Sequence, residues 1–216
     1  MNRGSRNNNR TRWVVAVAAV LLIALSWLRV SAVGRDLVVR DMTAPDGTPL
    51  RYLAPAGASG FPGVIVAHGF AGSQQLMYGF GYDLARAGYG VMLLDFDGHG
   101  AARGRLDREG GALQRNLASA YAVLVAQPEI DPARIALLGH SMGSGAVMTA
   151  GIDAPERYRA IVAVSPTGAA VTPDAPRNLL LMAGSLEPQF LRNARDLIAR
   201  AGGPNDDLSA GLGRAL

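Results

Sequence analysis

Residues 134–152 read RIALLGHSMGSGAVMTAGI, and this stretch is the most informative part of the sequence for the architecture of the chain. Its opening apolar run, RIALL, is typical of a strand that is covered on both faces of a sheet. Residues 139–143 then match G-x-S-x-G, in which a serine occupies a tight, strained turn between a strand and a helix. Such a turn projects the hydroxyl of Ser141 above the sheet. A glycine-rich turn with a capping serine has the same pattern, so the surrounding sequence must support the interpretation.

Apolar strands and helical segments alternate along most of the remaining chain. Strands are predicted at residues 63–67, 90–95, 134–138, 159–164 and 178–182. Helices are predicted at residues 74–87, at 111–126, directly after Ser141, and at 188–201. The turn signal Asp46-Gly47 predicts a hairpin between residues 35–43 and 48–53. The alternation predicts an α/β fold with a mostly parallel sheet, right-handed crossovers and helices on both faces.

The loops that follow the strands are the candidates for function, because ligands of such sheets bind at the carboxyl ends of the strands. His68-Gly69-Phe70 directly follows the strand at residues 63–67. Ser141 is a candidate nucleophile, and Met142 is the residue after it. The backbone N–H groups of Phe70 and Met142 would hold a developing oxyanion. A simple strand-to-helix loop is the alternative interpretation of residues 68–70.

Two other turns follow predicted strands. Residues 95–100, DFDGHG, form a tight polar turn that we expect to be structural and to form the floor of the pocket. Residues 182–188, MAGSLEP, contain Glu187, an acid that can hold an imidazole and stabilise its charge. Negative charge near a helix N-terminus is also favourable without any catalytic role, so both interpretations of Glu187 stay open.

In this order, HGF, DFDGHG, GHSMG and MAGSLEP make residues 48–200 resemble the α/β-hydrolase superfamily, with an arrangement similar to its esterase, lipase and serine-peptidase branches. The resemblance implies a serine hydrolase that cleaves an ester, thioester or amide of a small-molecule or acyl substrate through an acyl-serine intermediate. It assigns Ser141 as the nucleophile and Glu187 as the acid, where an aspartate is more usual. The amides of Phe70 and Met142 would then form the oxyanion hole. The residues that support the elbow and the loop are His68, Gly69, Gly139, His140 and Gly143.

Two features depart from the family pattern. Many members carry a lid domain between the sixth and seventh strands, whereas only residues 165–176 occupy that place here, which predicts a pocket that is open or covered from elsewhere. The family's chain order is serine, acid, histidine. Residues 203–216, however, contain neither a histidine nor a convincing last strand. All the histidines precede Glu187, and they are His68, His99 and His140.

Three explanations of the absent catalytic histidine stay open. The one we expect is that the sequence is a fragment that is truncated before this residue. The second is a catalytically inactive, membrane-tethered binding domain with the hydrolase fold. The third is a histidine from a partner chain or from an unusual site such as His99. The choice matters because a serine without a base is a weak nucleophile near neutral pH.

An uncharged apolar run, residues 13–28, lies close to the N-terminus. Extended to residues 13–33, it is long enough to span a bilayer. We expect a transmembrane signal anchor between a basic tail, residues 1–12, and a hydrolase domain at residues 35–216. Because arginines cluster in the tail, the domain is expected on the extracytoplasmic side of the cytoplasmic membrane. The alternatives are a cleaved signal peptide with a site near residues 32–34, which would give a secreted protein, and a buried helix of the domain.

The composition argues against several classes of protein. The sequence has no cysteine, so disulfides and cysteine metal sites are excluded, and no metal or cofactor motif is recognised. The glycines at residues 139–145 flank a serine and do not form the dinucleotide motif G-x-G-x-x-G. Four of the 21 arginines lie in residues 1–12, and the other 17 balance the 17 acidic residues, so no nucleic-acid partner is predicted. The oligomeric state is not predicted.

Overall fold

The computed structural model describes residues 4–31, 34–57, 59–106, 111–167 and 178–200. It divides into two compact units, Met1–Asp36 and Leu37–Leu216, which are described separately.

The N-terminal unit contains a long helix, α1 (Gly4–Ser31), which begins well before the predicted span. Within it, Thr11–Val30 has a mean hydropathy of 2.3, and none of this segment is buried. The indole side chains of Trp13 and Trp27 are both 72% exposed. A helix of this length and composition can cross a membrane, and a signal sequence has the same properties.

The globular unit starts with the predicted hairpin of strands β1 (Leu37–Thr43) and β2 (Pro49–Pro55). The strands pair antiparallel, with Asp41 opposite Arg51. At the turn, Gly47 has φ 90°, a conformation that glycine adopts without steric cost. The carboxylate of Asp46 accepts the backbone N–H of Thr48 at 3.0 Å. The Asp-Gly signal therefore predicted this hairpin correctly.

Five further strands extend the sheet to seven. They are β3 (Phe61–Ala67), β4 (Gly90–Leu94), β5 (Ile130–His140), β6 (Ala160–Val164) and β7 (Leu179–Met182). Their spatial order is β1-β2-β4-β3-β5-β6-β7, and every pair among β3 to β7 is parallel. The α/β fold predicted from the alternating pattern is confirmed.

The helices cover both faces of the sheet, as the sequence predicted. They are α2 (Tyr78–Arg86), α3 (Gly111–Val125), α4 (Met142–Asp153) and α5 (Pro188–Arg200). Residues of α2 share one buried cluster with Val64, Val66 and Leu93. Residues of α3, α4 and α5 pack in a second cluster with Ile65 and Leu137 on the opposite face. Because neighbouring residues of a strand point to opposite faces, the apolar runs of the central strands fill both clusters.

Several element boundaries differ from the prediction; β3, for example, begins at Phe61 rather than at residue 63. β5 begins at Ile130 rather than at residue 134, because Ile130 and Asp131 pair with Phe61 and Pro62 of β3 before the register shifts. The helix predicted at residues 74–87 begins as a 3-10 turn, Gln74–Met77. The predicted absence of a last strand concerns residues 203–216, which lie outside the described residues.

Candidate active site

Ser141 lies at the junction of β5 and α4, where it precedes the first helical residue. Its backbone has φ 51° and ψ −117°, a combination that a residue with a side chain rarely adopts. Its N–H donates to the carbonyl of Val164 at the end of β6, at 2.9 Å. The side chain is half-buried. The sequence therefore folds here into a strained turn at the carboxyl edge of the sheet.

Two glycines make this turn possible because backbone atoms occupy the space of a side chain. A Cβ atom on Gly139 would lie 2.2 Å from the carbonyl oxygen of Gly143. A Cβ atom on Gly143 would lie 2.6 Å from the carbonyl oxygen of His68. Any larger residue at either position would force the turn, or the loop beside it, to move.

The loop after β3 runs directly beside Ser141. A Cβ atom on Gly69 would lie 3.1 Å from Cβ of Ser141 and 2.9 Å from Nδ1 of His140. Phe70 follows, with its side chain 67% exposed, and Ala71 has φ 54°. The structure thus brings the candidate oxyanion loop and the candidate nucleophile together, and it places the ring of His140 against that loop.

His68 holds this loop to the loop after β4. The imidazole is fully buried. Its Nε2 accepts the N–H of Phe96 at 3.1 Å, so the ring proton is on Nδ1, which donates to the carbonyl of Gly69 at 2.7 Å. Burial lowers the pKa of His68, which keeps the ring neutral. Both ring nitrogens are engaged within the fold, so His68 has no nitrogen available to act as a base.

Asp95, at the end of β4, is fully buried and ties three parts of the chain together. Its carboxylate accepts the N–H of Gln74 at 2.7 Å, the N–H of Ala101 at 2.9 Å, and the side-chain amide of Gln74 at 3.3 Å. A Cβ atom on Gly100 would lie 2.3 Å from the carboxyl carbon. The turn at residues 95–100 is therefore a structural one, as the sequence predicted.

His99 lies inside the same turn and is 7% exposed. Its Nδ1 is 3.1 Å from the carbonyl oxygen of Asp97, to which it can donate. The rings of Phe70 and His68 pack against it, with centroid separations of 5.6 Å and 5.3 Å. His99 is thus enclosed beneath the loop that carries Phe70.

Glu187 follows β7 and lies at the same edge of the sheet as Ser141, with β6 between them. Its Oε2 accepts the hydroxyl of Ser165 at 2.9 Å and the N–H of Gly184 at 3.2 Å. Ser165 directly follows Val164, which holds the backbone N–H of Ser141. The candidate acid and the candidate nucleophile are therefore connected through the end of β6.

Three hydroxyl residues of the site were missed by the sequence analysis. They are Ser144, Ser165 and Thr167, which bond to the elbow or to the acid. Their partners lie up to 26 residues away along the chain, and no local pattern encodes such a pairing. Within the described ranges, no group of three or more His, Asp or Glu side chains is placed to hold a metal ion.

Comparisons with known proteins agree with this architecture. A sequence model of the family described as serine aminopeptidase, S33, matches residues 62–201. An uncharacterized protein of Mycobacterium tuberculosis is 32% identical over 195 residues, which cover 85% of this chain and 66% of that protein. A thiohydrolase of Arthrinium phaeospermum is 31% identical over 140 residues, which cover 61% of this chain and 43% of that one.

Among solved structures, a bacterial heroin esterase superposes with a TM-score of 0.53 at 20% sequence identity, over 67% of this chain and 50% of the esterase. At this identity, the likeness concerns the fold alone. The chain spans 66% of the length of its mycobacterial relative. Because the family model matches well over half of the chain, and the sheet order and elbow agree with it, the protein belongs to the α/β-hydrolase superfamily, in the family described as serine aminopeptidase, S33.

Proposed function

We propose that the protein is a serine hydrolase that cleaves an ester, thioester or amide, with Ser141 as its nucleophile. The observation that carries the proposal is the backbone of Ser141, held at φ 51° between two close-packed glycines and beside the loop of Gly69. A strained serine at the carboxyl edge of a parallel sheet is favoured where its hydroxyl must face a substrate. The relative described as a thiohydrolase supports a thioester among the candidate bonds.

The oxyanion that develops during acyl transfer would be held by the backbone N–H groups of Phe70 and Met142. Met142 is the first residue of α4, so its N–H belongs to the positive end of the helix dipole. Phe70 follows Gly69, whose backbone lies against Ser141. Preorganised backbone donors of this kind stabilise the transition state more than the neutral substrate, because the negative charge appears only there.

Glu187 would orient and stabilise the imidazolium of a catalytic histidine. Its Oε2 is held by Ser165 and Gly184, which fixes the carboxylate. No described residue bonds to Oε1, which would receive the imidazole N–H. Neither His68 nor His99 is assigned as that histidine, because both rings are buried and bonded within the fold.

For the chain as a whole, we propose an arrangement of three segments. Residues 1–12 form a basic tail on the cytoplasmic side, residues 13–33 anchor the protein in the membrane, and residues 35–216 form the hydrolase domain outside. The apolar segment Thr11–Val30, with no buried part, supports the anchor. Mass spectrometry of the mature N-terminus tests it: an intact N-terminus is expected, and a start near residue 35 would instead indicate a cleaved signal peptide and a secreted domain.

Labelling with a fluorophosphonate tests the nucleophile. We expect the protein expressed from its complete gene to be labelled, and the label to disappear in Ser141→Ala. Ser119→Ala is the matched control, because the hydroxyl of Ser119 bonds to Asp46 at the exposed hairpin turn and should leave labelling unchanged. If the native protein is not labelled, the hydrolase proposal is wrong, and a membrane-tethered binding domain with the same fold becomes the better description.

A further inference from the structure

The peptide bond between Ser141 and Met142 connects the elbow to the proposed oxyanion hole. A trans peptide is planar, so its C=O and its N–H point in opposite directions. The carbonyl belongs to Ser141, and the N–H belongs to Met142, one of the two proposed oxyanion donors. Whatever holds the carbonyl oxygen of Ser141 in place therefore also sets the direction of the Met142 N–H.

That carbonyl oxygen receives the usual bonds of a first helical turn. The N–H groups of Ser144 and Gly145 donate to it at 2.8 Å and 3.3 Å. The hydroxyl of Ser144 adds a shorter bond of 2.5 Å to the same oxygen. A serine that bonds back to its own helix is common, so this contact alone carries little weight.

A second bond distinguishes Ser144 from an ordinary helical serine. Its side chain is fully buried, and its Oγ accepts the backbone N–H of Thr167, which comes from the loop after β6, at 3.1 Å. Because an N–H can only donate, the single proton of the Ser144 hydroxyl is committed to the carbonyl of Ser141. The bonds thus run in one direction, from Thr167 through Ser144 to the elbow, and such chains polarise one another.

We propose that Ser144 is a positioning residue for the oxyanion hole, acting through the Ser141–Met142 peptide plane. The inference rests on the proposed function, since it assigns a role to a neighbour of the proposed nucleophile. The strained backbone of Ser141 persists only because the surrounding contacts hold it. The hydroxyl of Ser144, anchored by a second loop, adds to the two backbone bonds that hold the Ser141 carbonyl, and by polarising this peptide it strengthens the Met142 N–H as a donor.

The variant Ser144→Ala tests whether the hydroxyl of Ser144 positions the oxyanion hole or is needed only for folding. In Ser144→Ala the two backbone bonds to the Ser141 carbonyl remain, so the helix is expected to form. Fluorophosphonate kinetics on the complete gene product then give the binding constant KI and the rate constant kinact separately. We expect kinact to fall about tenfold, less than when an oxyanion donor is deleted outright, with KI changed less than about twofold. Ser144→Cys, with similar volume and a weak donor, should lie between the two.

The matched control is Ser119→Ala, which should leave both constants unchanged, because the hydroxyl of Ser119 bonds to Asp46 at the hairpin turn. The inference is overturned if kinact in Ser144→Ala is unchanged. It is also overturned if, in both Ser144 variants, kinact falls and KI rises to a similar extent. Failure of the native protein to react contradicts the proposed function instead, and the inference falls with it.

Discussion

The hydroxyl of Ser165 donates to Oε2 of Glu187 across 2.9 Å, and it thereby joins the loop after β6 to the loop after β7. Ser165 is buried and has φ 47°, a left-handed conformation that glycine adopts readily and serine adopts rarely. Its N–H donates to the carbonyl of Met182 at 2.7 Å. A strained serine is thus kept where a glycine would fit better, which is understandable if its hydroxyl is needed to hold the acid.

Substitutions at Ser165 separate the hydrogen bond from the strain. Ser165→Ala is expected to lower the free energy of unfolding by about 1–2 kcal/mol, because a bond to a carboxylate is lost while the strain stays. Ser165→Gly loses the same bond but relieves the backbone, so it should be more stable than Ser165→Ala by about 0.5–1 kcal/mol. Urea titration read by pulse proteolysis measures both, and equal stabilities would contradict the strained conformation. Both variants should also label more slowly with a fluorophosphonate, if Glu187 has the proposed role.

The glycines of the elbow should tolerate no side chain. Gly143→Ala would bring a Cβ atom within 2.6 Å of the carbonyl oxygen of His68, so we expect destabilisation of about 1–3 kcal/mol and loss of labelling. The matched control is Gly79→Ala in the exposed part of α2, where no atom lies within 4 Å of the new Cβ. There alanine should raise the free energy of unfolding by about 0.5–1 kcal/mol. A labelled, fully stable Gly143→Ala protein would show that the elbow is looser than the structure describes.

The fold could be predicted because its signals are local. The Asp46-Gly47 turn, the continuous apolar run of β3, and the run RIALL before Ser141 each specify one element without reference to the rest of the chain. Where tertiary pairing overrides local preference, the prediction was less accurate. The start of β5, IDPAR, contains polar residues and a proline, yet its first two residues, Ile130 and Asp131, pair with β3 ahead of a shift in register.

The candidate site was predictable only in part, for the same reason. Ser141 and Glu187 follow strands, and a residue's position after a strand can be read from the sequence. The bonds from Ser165 to Glu187 and from Thr167 to Ser144 join residues that only the folded chain brings near. A serine or threonine after a strand, or a serine in a helix, is otherwise unremarkable. The enclosure of His68 and His99 also depends on packing between loops, which no single stretch of sequence records.

Asp95 should be sensitive even to its isosteric amide. In Asp95→Asn an NH₂ group would face one of the backbone N–H groups, of Gln74 or Ala101, that now donate to the carboxylate. A buried donor left without an acceptor costs about 1–3 kcal/mol, so a loss of this size is expected in the free energy of unfolding. Asp83→Asn, on the exposed surface of α2, should change it by less than about 0.5 kcal/mol. If Asp95→Asn and Asp83→Asn lost similar free energies of unfolding, Asp95 would not be a structural anchor.

The buried neutral ring of His68 predicts how stability depends on pH. Burial lowers the pKa of His68 from the ordinary value of 6.5, so the unfolded chain binds a proton that the folded chain excludes. The free energy of unfolding contributed by His68 is therefore fully present above about pH 6.5, and it decreases as the pH falls from there to the lowered folded-state pKa. Protonation would also set a second N–H against the N–H of Phe96, which now donates to Nε2.

Urea titrations at about pH 7.5 and about pH 5.5, read by pulse proteolysis, measure this dependence in the native protein and in His68→Gln. His68→Gln removes the buried titrating group, so its stability should change less between the two pH values than that of the native protein, although it is less stable at the higher one. If His68→Gln and the native protein lost the same free energy on acidification, the proton would have to be taken up elsewhere, and the ring of His68 would not be held neutral by its burial.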